Sequence, residues 1–332
     1  METRKLQQVG GGTYTVSVPK EWAREQSLEV GARIHLYTHT DGSLVVRTEE
    51  KGGGNRTVRV GLDDADPAAI RRAVAAAHAA GVDTMTLVGS GAFTEAERAA
   101  ADAATRNLVG MEMIDVGNGE ITVGTLLDAS ELSVRQSVLQ LQFTVVSMLR
   151  RAGEAVRAGD DTVEAFRERG GETDRLFDLI ARQFTRSLCS FETLDRLGLP
   201  RPELFEYYQI ARHLDAIGGE VAGIVRVLGR RDDALPEAPA DAIADAIGAA
   251  GRVVDDATSA VLDGEGSAGA HDALDRCEAL ERELAAIERA VSETGSGDAS
   301  AVRVLDHVVR VVDCATGIAE VALRRATRTG NA

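Results

Sequence analysis

From residue 131 to residue 328 the apolar side chains step by three or four positions almost without a break. Val134, Val138, Leu141, Val145, Met148, Ala152 and Val156 form one stripe, and Leu204, Tyr207, Ala211, Leu214, Ile217, Val221, Ile224 and Leu228 another. Between them, residues 161–196 place Phe166, Leu176, Leu179, Ile180, Phe184, Leu188 and Phe191 at compatible spacing, with Gly170-Gly171 predicting an interruption or kink. After a Pro-bearing linker, Asp232 to Pro239, the scheme recurs. Ile243, Ile247, Ala250, Val254 and Val261 are followed by Leu274, Cys277, Leu280, Leu284, Ile287 and Val291. Val302, Leu305, Val308, Val312, Ala315, Ile318 and Ala322 complete the set. A step of three or four keeps each stripe on one helix face. Three long helices, a linker and three more predict a duplicated three-helix bundle, residues 129–230 and 240–330, with left-handed packing.

The first part of the chain cannot be helical throughout. Residues 55–128 alternate short β-rich runs with alanine-rich helical stretches: Arg56 to Val60, Pro67 to Ala80, Met85 to Val88, a helix capped by Thr94, and a hairpin around Gly117-Asn118-Gly119. The order βαβαββ predicts a small α/β sandwich.

Within residues 1–50, positions 5–22 read KLQQVGGGTYTVSVPKEW. The three glycines suggest a phosphate-cradling loop, but a dinucleotide fingerprint needs glycine at position 15, which is Thr15, and no Gly-Lys-Ser/Thr follows. The period of two in Tyr14, Val16 and Val18 is that of a strand, so the glycines read as a turn. Pro19 starts a short helix, and Asp41-Gly42 joins two further strands. So few residues make a poor core alone. Tyr14, Val16, Val18, Trp22, Leu36 and Val45 therefore call for a partner chain, and a homodimer is expected. The stretch 48–55, EEKGGGNR, reads as a linker.

The net charge of −16 arises from 53 acidic against 37 basic residues, of which only Lys5, Lys20 and Lys51 are lysine. Acidic, lysine-poor, alanine-rich chains suit a cytoplasm of high salt, the composition of a halophilic archaeal protein. Residues 1–47 depart from this trend at +1, leaving −17 on the rest, as contact with a polyanion would require. No run of eighteen apolar residues spans a membrane and the N-terminus lacks an apolar signal core, so no membrane insertion and a cytoplasmic location are expected. Cys189, Cys277 and Cys314 fit neither a disulfide framework nor a metal clip. The six histidines form no H-E-x-x-H set and no G-x-S-x-G elbow occurs, so no catalytic residue is assigned and no enzyme is expected. Gly89-Ser90-Gly91 reads as a turn, or as an anion loop at a helix N-terminus.

Two resemblances follow from these segments. Residues 4–47, through the strand, the PKEW turn-helix and the L-x-x-G step into the next hairpin, resemble the AbrB/SpoVT-type swapped-hairpin DNA-binding domain. Residues 131–328, through ETDRLFDLIARQF, ARHLDAIGGEVAGIV and VVRVVDCATGIAEVALRRA, resemble a PhoU domain. The combination is similar to archaeal phosphate-uptake regulators. The resemblance implies an α+β multidomain chain, with a swapped-hairpin β domain, a small α/β piece and an all-α PhoU-like region. It further implies a dimeric, DNA-binding transcription regulator of phosphate uptake. The alternatives are an adaptor of a phosphate ABC transporter that uses the N-terminal domain mainly to dimerise, or a metal-binding regulatory protein. The partners implied are double-stranded DNA, a second copy of the chain, and a transporter ATPase or phosphate-signalling protein.

PhoU-like proteins also carry E/D-x-x-x-D pairs that hold iron or zinc, because a four-residue spacing puts both carboxylates on one helix face. Here Asp174 and Asp178 keep the spacing. Asp215 is followed four residues on by Gly219, and Asp313 is preceded by Val309. Asp174, Asp178, Asp215 and Asp313 are the metal candidates; the other reading is that they are solvated or paired with Arg175, Arg212 and Arg310. For DNA the candidates are the cations Arg4, Lys5, Lys20 and Arg24 and the hydroxyl row Thr13, Thr15 and Ser17, which a two-fold dimer would double.

Overall fold

The computed structural model describes residues 3–10, 12–48, 56–62, 66–126, 132–158, 163–231, 235–264, 266–293 and 299–330. The chain divides into two units, residues 1–54 and 55–332.

In the first unit β1 (Gln7–Val9) pairs antiparallel with β2 (Thr13–Thr15), and α1 (Lys20–Glu25) follows. β3 (His35–Thr38) pairs antiparallel with β4 (Leu44–Arg47). Gly10 takes the positive φ of the first turn, and Gly42 that of the second. Asp41 Oδ1 accepts from Ser43 N at 2.8 Å, fixing the Asp-Gly hairpin. Helix α1 ends in a Schellman motif: Leu28 N donates to the Ala23 carbonyl at 2.8 Å and Ser27 N to that of Arg24 at 3.0 Å. Ser27 therefore holds φ +54, where glycine is usual. Among the described residues of this unit only His39 is buried. Tyr14 is 64% and Leu36 62% exposed, and Val16 and Val18 are exposed too; Trp22 and Val45 are half-buried. Apart from residue 48, the glycine-rich stretch 48–55 lies outside the described residues.

The second unit begins with β5 (Thr57–Leu62), α2 (Pro67–Ala79), β6 (Thr84–Gly89), α3 (Glu95–Arg106), β7 (Met111–Val116) and β8 (Glu120–Thr125). The sheet order is β5-β6-β8-β7, with β5 and β6 parallel and the other pairs antiparallel. Ile70 and Val74 of α2 and Ala101 of α3 pack on Met85, Leu87, Ile121 and Val123 of the two central strands. Thr94 closes a capping box on α3: its Oγ1 accepts from Glu97 N at 3.3 Å, and its own N donates to Glu97 Oε2 at 2.6 Å. The Gly89-Ser90-Gly91 turn is packed against its neighbours, since Gly89 N donates to the Gly119 carbonyl and a Cβ at 89 would meet the Gly91 oxygen at 3.0 Å. Close backbone approach accounts for Gly89, whereas a Cβ at Gly91 would meet nothing within 4 Å.

The remainder is helical: α4 (Val134–Ala158), α5 (Val163–Cys189), α6 (Phe191–Leu197), α7 (Arg201–Leu228), α8 (Glu237–Asp263), α9 (Ser267–Glu293) and α10 (Ala299–Thr329). The expected break at Gly170-Gly171 is absent. α5 runs through it, with Phe166 and Leu176 buried on either side, and a Cβ at either glycine would meet nothing within 4 Å. Tertiary packing here outweighs the local cost of two glycines. The break falls instead at Ser190, whose Oγ caps α6 through Thr193 N at 3.2 Å. At the second boundary α8 already begins at Glu237, so Pro239 lies in a first helical turn, where its missing N–H costs nothing.

The two sets of helices share a single core. α4 lies along α8 and α7 along α10, while α5 packs on α4 and α7 and α9 packs on α8 and α10. One apolar cluster runs continuously from Val134 to Ala322. Gln142 on α4 bridges the halves by donating from Nε2 to Asp255 Oδ1 at 2.7 Å on α8. The packing of the α/β layer on this bundle was not foreseen. Arg182 of α5 is buried and donates to the Val82 carbonyl at 2.7 Å, to Asp83 Oδ1 at 2.8 Å and to Thr125 Oγ1 at 3.1 Å. Asp83 also accepts from Arg186 and, at 3.0 Å, from Arg56 N. A lone arginine in a helical stripe gives no sequence signal that it is a buried clamp.

Candidate nucleic-acid interface and carboxylate cluster

Every candidate DNA contact lies exposed in the first unit. Arg4 and Lys5 precede β1, Thr13 and Thr15 share one face of β2, Ser17 lies past the end of that strand, and Lys20 and Arg24 stand on α1. In the β1–β2 register Thr13 faces Val9 and Thr15 faces Gln7, so the hydroxyl face includes one apolar side chain. Tyr14 lies on the opposite face with Gln8. The unit thus presents exposed apolar strand residues beside exposed cations and hydroxyls.

In the helical region three of the four acidic candidates come together. Asp174 and Asp178 project from α5 and Asp215 from α7. Burial, then the charge of Asp174, pushes Asp178 up to about 6. Asp215 is also pushed up to about 6, by burial first and then by Asp174 and Asp178, with Arg212 opposing. Asp174 is raised by burial. Arg212 is therefore the cation that tempers this cluster. Asp313 does not join it; the charges it influences are those of Arg310 and Cys314 on α10. Glu220 of α7 is tied to α10, accepting from Arg310 Nε at 2.8 Å and meeting His307 Nδ1 at 2.6 Å. Among the described residues no three His, Cys, Asp or Glu side chains converge on a point that would hold a metal ion. Of the residues expected to take iron or zinc, Asp174, Asp178 and Asp215 are close enough to influence one another's charge, and Asp313 stands apart from them.

Beside these carboxylates the α5–α7 seam carries an aromatic ladder that periodicity alone did not single out. The Phe184 ring stacks on Tyr208 at 4.5 Å between centroids, with Phe177 and Phe205 on either side.

The architecture is that of a two-hairpin β module joined to a mixed sheet and a six-helix bundle with internal duplication. Residues 7–54 match the family of MazE, a bacterial antitoxin described by antidote-toxin recognition, and residues 138–228 match the PhoU domain. No curated protein matches the chain. The protein therefore joins a MazE/AbrB-type N-terminal domain to a PhoU domain. The PhoU match ends with α7, so α8 to α10 lie beyond it. The two matches together support a regulator of phosphate homeostasis in general terms. Among the described residues no helix is long and apolar enough to cross a membrane.

Proposed function

We propose that the protein is a non-enzymatic, cytoplasmic transcription regulator of phosphate uptake, binding double-stranded DNA as a homodimer through residues 3–48. The observation that carries this reading is the near absence of burial in the first unit, where Tyr14, Val16, Val18 and Leu36 are left exposed on strands. Apolar strand faces of this kind need a cover, and a second copy covers them while bringing two sets of Arg4, Lys5, Lys20 and Arg24 onto one surface. Thr13, Thr15 and Ser17 supply further phosphate donors. The PhoU region then carries the phosphate-status signal.

Replacing Arg4, Lys5, Lys20 and Arg24 with alanine is expected to abolish retention of the protein's own upstream DNA in a gel shift, while circular dichroism shows the helices intact. Unchanged retardation sinks the assignment. A strictly monomeric protein by sedimentation sinks the dimer. Co-purification with a transporter ATPase, without DNA retention, supports the adaptor reading that the PhoU match also allows.

A further inference from the structure

A cleft of about 330 Å³ opens between α4 and α8, the size at which small-molecule sites begin. Its walls are Val146 and Ala244 together with three glycines, Gly153, Gly248 and Gly251. Gly153 permits close packing, since a Cβ there would meet the Ala244 carbonyl at 3.3 Å. Gly248 does not need to be glycine for that reason: a Cβ there would meet only Arg252 Nη1, at 3.7 Å. It leaves open space instead.

Three guanidiniums, those of Arg150, Arg157 and Arg252, line this one cleft in a chain with a net charge of −16. Arg150 is paired with Glu154 at 2.8 Å, and Arg157 with Asp241 at 3.3 Å and with Asp245, all at exposed positions. Such pairs contribute little and open readily. Among the described residues no carboxylate lies on Arg252, which leaves it ready for an anion. Two carboxylates, Glu154 and Asp255, also line the cleft, so an anion alone would meet repulsion there. A ligand with its own hydroxyl or amino donors would not.

We propose that the α4–α8 cleft binds a small organic phosphate, about the size of a nucleoside monophosphate. Its phosphate lies on the arginine rim and its hydroxyl or amino groups donate to Glu154 or Asp255. Guanidinium groups suit phosphate because they offer paired donors in a plane. A ligand seated there touches both halves of the duplicated bundle at once. The site is independent of the DNA reading, because it uses none of residues 3–48.

Calorimetric titration of the full chain with adenosine 5′-monophosphate, ribose 5-phosphate, adenosine and inorganic phosphate tests it. At least one of the two organic phosphates is expected to bind, adenosine at least about tenfold more weakly, as for the loss of a charge-assisted hydrogen bond. Inorganic phosphate is expected to compete weakly. Arg252→Gln is expected to weaken the organic phosphate by about tenfold or more with unchanged circular dichroism. Gly248→Leu fills the cleft at a helical position with open space, so it is expected to abolish binding while keeping or raising the unfolding temperature. Absence of binding by both organic phosphates, binding insensitive to both variants, or equal affinity for inorganic phosphate would each overturn the proposal.

Discussion

The His307 ring of α10 lies against α7 where Gly223 leaves room: a Cβ at 223 would stand 2.3 Å from the His307 Cε1. The ring is held there by Glu220, 2.6 Å from Nδ1. The converse contact exists as well, because a Cβ at Gly317 of α10 would stand 2.4 Å from Cε1 of His213 on α7. The two histidines and the two glycines are separated by the same interval, so the duplication extends to the crossing itself. Gly223→Ala should cost about 2 kcal/mol, as other overpacked sites do. Adding His307→Ala should restore most of it, measured by urea unfolding followed at 222 nm. Additive losses in the double variant would contradict the contact.

The carboxylates of α5 and α7 give a pH signature. Asp178 and Asp215 titrate near 6 in the folded chain against about 3.9 unfolded. The folded state holds the extra protons, so stability contributed by these groups falls as pH rises from 4 through 6. Asp178→Asn and Asp215→Asn should each gain about 1 kcal/mol at pH 7, after allowance for solvent screening, and nothing at pH 3.5. Equal gains at both values would refute the upward shift that burial, and then the neighbouring aspartates, impose on these groups.

Arg182 is expected to hold the α/β layer to the bundle. Arg182→Leu leaves Asp83 with one fewer partner in a buried setting and should cost about 3 kcal/mol, with an early unfolding transition of the α/β layer in calorimetry. A single cooperative transition at the wild-type temperature would argue against the clamp.

His78, whose carbonyl accepts from Arg182 at 3.1 Å, adds an opposing pH dependence. It is fully buried, its ring nitrogens have no partner among the described residues, and burial, then the Arg182 charge, brings it down to about 3. The unfolded chain takes its proton near 6.5, so this contribution to stability is lost as pH falls from 6.5 toward 3. His78→Leu should flatten the acid limb of the stability profile; a limb of unaltered slope would show that the ring does not contribute.

Ser27 occupies a left-handed position that glycine fills at lower cost. Ser27→Gly should raise the stability of the first unit by about 1 kcal/mol, seen as a higher denaturation midpoint for a tyrosine or tryptophan signal. A lower midpoint would show that the Schellman turn is not what closes α1.

The order of elements was legible because each segment carries its own period: Tyr14 with Val16, Val134 through Val156. The paired hairpins, the Thr94 cap and the βαβαββ order need only neighbours a few residues apart. Continuity through Gly170-Gly171 was not legible, because it depends on Phe166 and Leu176 finding cover from other helices. Asp174, Asp178 and Asp215 could be nominated by spacing, but their mutual repulsion, and the distance of Asp313 from it, require the packing of α5 on α7. Arg182 and the arginine-lined cleft join residues about a hundred positions apart, as Arg182 and Asp83 show, and no local pattern marks such a pair.

The continuous apolar cluster from Val134 to Ala322 makes the halves of the bundle inseparable. A truncated chain ending after α7 would bare the faces that α8 and α10 now cover, and would have to recruit a second molecule to hide them. Holding both copies in one polypeptide removes that dependence on concentration. It also lets the two halves carry different side chains at related places, with an aspartate at 215 in one and at 313 in the other.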